Sequence, residues 1–506
     1  MNKLTEFFAL DPEQPAAWRG LHALNFDNSY AQLPQHFYSR QSPTPLPAPY
    51  LVSFNAHAAA LIDLDPASSA HPEFVEYFTG NRLLPGAQPL SMLYAGHQFG
   101  YYVPQLGDGR AILLGEVRNR NGELWDVQLK GAGLTPYSRQ GDGRAVLRST
   151  IREYLCCEAM HGLNIPTTRA LCITGSDEEV YRERIETAAV LTRLSPSHVR
   201  FGSFEVFFYR KQHEHIATLA DYVIARHFPH WQGKAERYLL LLEQAVQNTA
   251  KLMAQWQAVG FSHGVMNTDN MSILGITLDY GPFGFMEAYD PNYICNHSDP
   301  NGRYAFDQQP DVGLWNLACL ARALSPLIPE QDAEAVLAQY ARTFNSCYMQ
   351  AMGEKLGLRA ATQADVPLIG AWLQLLRANR LDYTNTFRAL GQFDSTPSAL
   401  NAVLRDQMRD RAAFDVWAAD YRARLQQEGS TDAERKQRMD RANPKYILRN
   451  YLAQLAIERA EREREFSEID TLLVLLRQPY AEQPGMQRYA ELPPGWASSL
   501  EVSCSS

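Results

Sequence analysis

The sequence predicts an α+β protein in which a small β-rich half precedes a larger helical half. Two patterns and one composition lead there. Residues 111–209 hold several short apolar runs bounded by turn residues, whereas from about residue 218 apolar positions recur at helical spacing. The 506-residue chain is 45% hydrophobic and 20% charged, ordinary values for a globular protein with a large core.

The elements follow in order. Residues 1–80 are loop-rich, broken by SPTPLPAP at 42–49, and are expected to form an N-terminal extension. The β-rich unit is placed at 81–210. Within it, 111–117 (AILLGEV) and 124–130 (LWDVQLK) flank an NRNG turn and read as a hairpin. A helix is expected at 149–161, with Ile151, Tyr154, Leu155 and Ala159 at helical spacing and Gly162 as its stop. Strands are then expected at 170–174, 188–194 and 205–209. In the helical unit, 211–430, the clearest helix is 236–259: Leu239, Leu242, Val246, Ala250, Met253 and Trp256 share one side, and Gly260 closes it. Two apolar runs around Gly275, 271–274 and 276–279, suggest a tight hairpin. The remaining region, 431–506, is rich in both charge signs, which suits solvated helix faces carrying i,i+4 pairs.

Composition excludes several classes. The net charge of −9 argues against a nucleic-acid or anionic-membrane binder, so any phosphate site must be locally basic. No apolar run approaches the roughly 18 residues of a membrane span, and residues 1–13 lack the pattern of a secretory signal. A cytoplasmic location, with no membrane or nucleic-acid partner, is expected. Seven cysteines are too few for a disulfide scaffold and show no CxxC spacing.

The chemistry concentrates in four places. The stretch 263–270 (HGVMNTDN) precedes Asp279 by nine residues, the layout of a kinase-type catalytic loop and its second metal ligand. Asn270 and Asp279 take those places. One amide and one carboxylate oxygen suffice for Mg²⁺ or Mn²⁺, which keep several waters and bind substrate phosphates; an Asx-rich turn is the plainer alternative. Lys130 at a strand end and Glu153 on the next helix match, in order, the kinase lysine and its carboxylate partner. In 105–115 (QLGDGRAILLG), Gly107 and Gly109 would let backbone N–H groups approach phosphate, although the motif is not a strict GxGxxG. Arg139, Arg144, Arg148 and Arg152 form a local basic stretch, and Arg110, Arg193 and Arg200 flank other strand ends with forks suited to phosphate oxygens. At Val265 a kinase loop would carry the aspartate that accepts the hydroxyl proton, which an isopropyl group cannot do. Either the chain is a silent pseudokinase scaffold, or Asp269 is a displaced base.

At this point the chain resembles the selenoprotein O family, through WDVQLKGAG (125–133), LTRLSPSH (191–198), the stretch 263–284 and NPKYILRNYL (443–452). The resemblance implies a protein-kinase-like two-lobed fold with an N-terminal extension and additional C-terminal helices. It also implies ATP bound in reversed orientation and AMP transferred to hydroxyl side chains of protein substrates, with release of pyrophosphate. Carried over by position, Gly107, Gly109, Arg110, Lys130, Asp142, Gly143, Glu153, Arg193, Arg200 and Asp279 serve the nucleotide, Asn270 and Asp279 the metal, and Asp269 the proton. Cys504, third from the end, resembles the family's selenocysteine or cysteine tail. With Cys295 sixteen residues beyond Asp279, it is expected to form a regulatory disulfide, since such bonds are uncommon as structural elements in reducing cytosol.

Overall fold

The structure, a computed structural model, describes residues 18–502. Its sheet grows around the 111–130 hairpin. In chain order the strands of this half are β1 (Tyr38–Arg40), β2 (Tyr50–Phe54), β3 (Leu90–Met92), β4 (Gly96–Gln98), β5 (Tyr101–Val103), β6 (Ala111–Arg118), β7 (Leu124–Lys130), β8 (Ala145–Val146), β9 (Arg169–Tyr181) and β10 (Ile185–Ser195). The main sheet runs β1-β3-β6-β7-β10-β9-β2, with β8 paired to β10 and all its pairings antiparallel. The stretch before residue 81 therefore supplies both edge strands, β1 and β2.

Alternation along β6 and β7 places the chemistry. Ile112, Leu114, Val127 and Leu129 pack with the residues of α1 (Ala56–Ala60) and α2 (Pro72–Thr79) on one face. Leu113 joins the other core, against α3 (Leu147–Gly162). Because both faces are covered, β6 is buried almost throughout. Gln128 and Lys130 share the α3 face, and the register sets Gln128 opposite Arg193 and Lys130 opposite Leu191.

The helical half opens with α4 (Phe201–Tyr209), α5 (His213–His227) and α6 (Arg237–Val259), the last closed by Gly260 in the left-handed region at φ 71°. The expected strand at 205–209 is thus a helix. Phe201, Phe204, Val206 and Phe207 are all buried, so the polar face that would reveal the helical period is missing. The expected hairpin at 271–279 does not form either: Ser272 bridges Arg200, and Thr277 bridges Thr167. The local pairing is instead β11 (Phe261–Ser262) with β12 (Gly284–Phe285), which brackets the 263–283 stretch.

The helices α7 (Gln309–Ala323), α8 (Glu330–Leu337) and α9 (Tyr340–Lys355) pack on α6. A separate aromatic core joins α9 to α10 (Val366–Asn379), α11 (Tyr383–Leu390), α12 (Ala402–Arg405), α13 (Arg411–Glu428) and α14 (Asp432–Ala442). The charged region then ends in α15 (Asn450–Glu463) and α16 (Ser467–Arg477), whose Ile457, Ile469 and Leu472 bury against α3. The expected i,i+4 pairs are present, among them Lys436 with Asp440. No helix of the described residues is long and apolar enough to cross a membrane.

Candidate active site

The sheet's α3 face, the 263–281 stretch and the 137–144 loop enclose a cleft of about 1180 Å³. Gly107, Gly109, Arg110, Lys130, Asp142, Gly143, Arg193, Arg200, Asp269, Asn270 and Asp279 all line it. Glu153 stands behind, on α3.

At its centre, four segments distant in sequence are joined by charge. Lys130 Nζ lies 2.5 Å from Glu153 Oε2 and 3.5 Å from Asp279 Oδ1. Arg193 donates to Glu153 Oε1 at 3.0 Å, to the Asp279 carboxylate and to Gln128. Arg200 donates to the same carboxylate and, at 2.6 Å, to the Asp269 carbonyl, with its guanidinium 4.7 Å from the Tyr94 ring centroid. Burial alone would raise the Asp279 carboxyl, but Arg200, Arg193 and Lys130 outweigh it and hold Asp279 well below the usual range. Asp279 therefore stays ionised, on a left-handed backbone (φ 59°).

Asp269 differs. Burial pushes its carboxyl up to about 7. Its Oδ2 accepts from Gln98 Nε2 at 3.2 Å, and its buried Oδ1 has no hydrogen-bond partner. Gly96 packs so closely that a Cβ there would come 2.6 Å from Oδ1, so glycine is required where β4 crosses the carboxylate. Asn270 commits its amide N–H to the Val265 carbonyl at 3.0 Å, which leaves its oxygen available as a ligand. The His263 ring meets the Leu278 carbonyl at 3.0 Å and stacks on Trp256, fixing the loop against the segment that carries Asp279.

The glycine loops are shaped by contact. At Gly107 (φ 83°) a Cβ would come 2.5 Å from the Tyr137 ring, and at Gly109 it would come 2.9 Å from the Tyr137 carbonyl. Gly143 packs on Gly133. Asp142 faces Arg182 in a two-pronged pair at 2.7 and 2.9 Å, which holds its carboxyl below the usual range.

The arginine-rich stretch is divided. Arg139, Arg144 and Arg148 reach the cleft lining. Arg144, however, bonds Glu178 and the carbonyls of Thr44 and Pro45, Arg148 pairs with Glu186, and Arg152 holds the Phe283 carbonyl and Asn450. These three work mainly as structural ties. Sequence reasoning missed Gln98, Asp108, Gln128 and Arg182. The period-two offset between Gln128 and Lys130 was a usable signal, whereas Arg182 sits in the β9–β10 turn with nothing local to mark it. Asp108 accepts from Met92 N–H and Gln128 Nε2, both at 3.1 Å, and burial raises its carboxyl.

Cys295 is buried, with its thiol 3.3 Å from Ser262 Oγ and burial pushing it up to about 12. Cys504 lies outside the described residues. Two residues after Cys295, the His297 N–H donates to the Val502 carbonyl at 3.2 Å.

Comparison with known proteins adds an independent finding. Residues 20–477 match the family described as protein adenylyltransferase SelO. The chain is 60% identical to a protein nucleotidyltransferase YdiU of Thiobacillus denitrificans, covering 96% of this chain and 99% of that protein. It is 57% identical to the protein of the same name from Myxococcus xanthus, with the same coverage.

Proposed function

The chain belongs to the SelO family of protein adenylyltransferases, and from that premise we propose that its cleft transfers AMP from ATP to Ser, Thr or Tyr hydroxyls of other proteins, releasing pyrophosphate. The supporting observation is the convergence of Lys130, Glu153, Arg193, Arg200 and Asp279 beside a buried Asp269 whose carboxylate has no ion pair among the described residues. We place kinase-like lobes at 81–210 and 211–430, with 431–506 as added helices and tail; the order of an antiparallel sheet with α3 followed by helices supports this, and β1 and β2 extend that sheet from the stretch before residue 81.

Lys130, Arg193 and Arg200, with Arg110, would grip the outer phosphates as leaving group. Glu153 holds Lys130 and Arg193 in place. The turns at Gly107, Gly109, Asp142 and Gly143 bring backbone close to the nucleotide. Asn270 and Asp279 offer hard oxygen donors that fit Mg²⁺ or Mn²⁺, and the ion when bound neutralises charge developing on the phosphates. The acceptor oxygen bonds to the α-phosphorus, the bond from that phosphorus to the pyrophosphate oxygen breaks, and Asp269 takes the hydroxyl proton. A Cys295–Cys504 disulfide, formed by exchange with an oxidised small-molecule disulfide, would pin the tail beside this segment; reductant-sensitive activity lost in Cys504→Ser tests it.

ATP labelled separately at the α- and γ-phosphates separates the readings. Label on protein from the α-position alone is expected. Label from the γ-position alone would make the chain a kinase using Asp269, and none from either would make it a scaffold.

A further inference from the structure

Outside the cleft, His97, Glu205 and Cys319 bring one imidazole, one carboxylate and one thiol together with all donor atoms within 4.8 Å of one another. We propose that this cluster is a Zn²⁺ site, separate from the nucleotide's metal. The three residues come from different elements: His97 from β4, Glu205 from α4 and Cys319 from α7. Glu205 is fully buried, and its only partner within ion-pair distance among the described residues is the His97 imidazole, at 2.5 Å; its other oxygen accepts from the Thr268 hydroxyl. An imidazole nitrogen, a carboxylate and a thiol thus converge with no lysine or arginine among the described residues paired to the buried carboxylate, an arrangement that a bound cation would complete.

The donor set selects the ion. Nitrogen, sulfur and oxygen from three residues are the ligands of borderline-soft Zn²⁺, whereas Mg²⁺ takes oxygen alone. Bonds of about 2.0–2.3 Å in a tetrahedron hold ligand atoms roughly 3.3–3.8 Å apart, a span between the 2.5 Å of the His97–Glu205 contact and the 4.8 Å limit of the cluster. Modest side-chain rotation closes the site. Zn²⁺ displaces the Cys319 thiol proton to solvent, and Zn²⁺ with one thiolate, one carboxylate and a neutral imidazole is charge-neutral. The rings of Tyr102, Tyr209 and Trp315 surround His97 and wall the site from water on that side.

Its consequence is positional. The His97 backbone N–H donates to Thr268 Oγ1 at 2.7 Å, and Thr268 donates to Glu205, so an ion here ties α4, α7 and β4 to the residue beside Asp269.

The test uses the full chain incubated with ZnCl₂, freed of loose metal by gel filtration and measured by inductively coupled plasma mass spectrometry. About one zinc per chain is expected in the wild type and in Asp279→Ala, which removes a ligand of the nucleotide's metal. Cys319→Ala is expected to retain less than about a tenth of it, and His97→Gln likewise. With Co²⁺, a thiolate-to-metal charge-transfer band should appear in the wild type and vanish in Cys319→Ala. Equal zinc in wild type and Cys319→Ala, or no thiolate band with Co²⁺, overturns the proposal. Because Asp279→Ala is inactive under the proposed reaction, its zinc content separates this site from that one.

Discussion

Arg193 and Arg200 in the cleft and Lys355 at the end of α9 are all buried cations, yet the molecule keeps them by opposite means. Burial works against the charge of both arginines, but Asp279, with Glu153 at Arg193, more than offsets it and their pKa values rise. Lys355 is 4.3 Å from the Phe387 ring centroid and 5.2 Å from that of Tyr383, and no carboxylate among the described residues pairs with it. Burial pushes it down to about 7. The cleft thus preorganises permanent charge around a carboxylate, while the aromatic core tolerates a cation that can shed its proton. Only the first arrangement suits the binding of phosphates.

The largest effect is expected at Asp279. Asp279→Ala removes the shared anion, and transfer of the α-label is expected to fall by about 10³-fold; substantial residual turnover would show that the arginines do not need it. Next, Lys130→Met keeps the length of the side chain and deletes its charge, with an expected loss of about 10²-fold in the same assay. An unchanged rate would remove Lys130 from the phosphate grip.

Lys355 sharpens the other side. Between pH 7 and 10.5 the unfolded chain holds the lysine proton that the folded chain has lost, so this group makes stability rise with pH. From pH 7 to 9 the wild type should gain about 2 kcal/mol relative to Lys355→Met in urea unfolding. A parallel pair of curves would contradict it. The smallest effect is expected from Gln98→Leu, which deletes the hydrogen bond from Gln98 to the Asp269 carboxylate and should slow transfer about fivefold, the worth of roughly 1 kcal/mol.

The same contrast explains what the amino-acid sequence disclosed. The β6–β7 hairpin was legible from its NRNG turn, and α6 from an apolar stripe ended by Gly260, because each is dictated locally. Helix α4 was not, since burial on all sides erases its period. Within the cleft, Lys130, Glu153, Asn270 and Asp279 were legible as residue types in a meaningful order. Their grouping by Arg193 and Arg200 depends on strand register and on the crossing of the 263–279 stretch, which local patterns do not encode. Gln98 and Gly96 reach Asp269 from 171 and 173 positions away, through β4, a three-residue strand too short to announce itself.

The geometry of the cleft is decided by a crystal structure of the chain with Mn²⁺ and a nonhydrolysable ATP analogue. One cation shared by Asn270 and Asp279 is expected, with the outer phosphates against Lys130, Arg193 and Arg200 and the α-phosphorus facing Asp269. A γ-phosphate presented to Asp269, or Asn270 and Asp279 without a common ion, would contradict it.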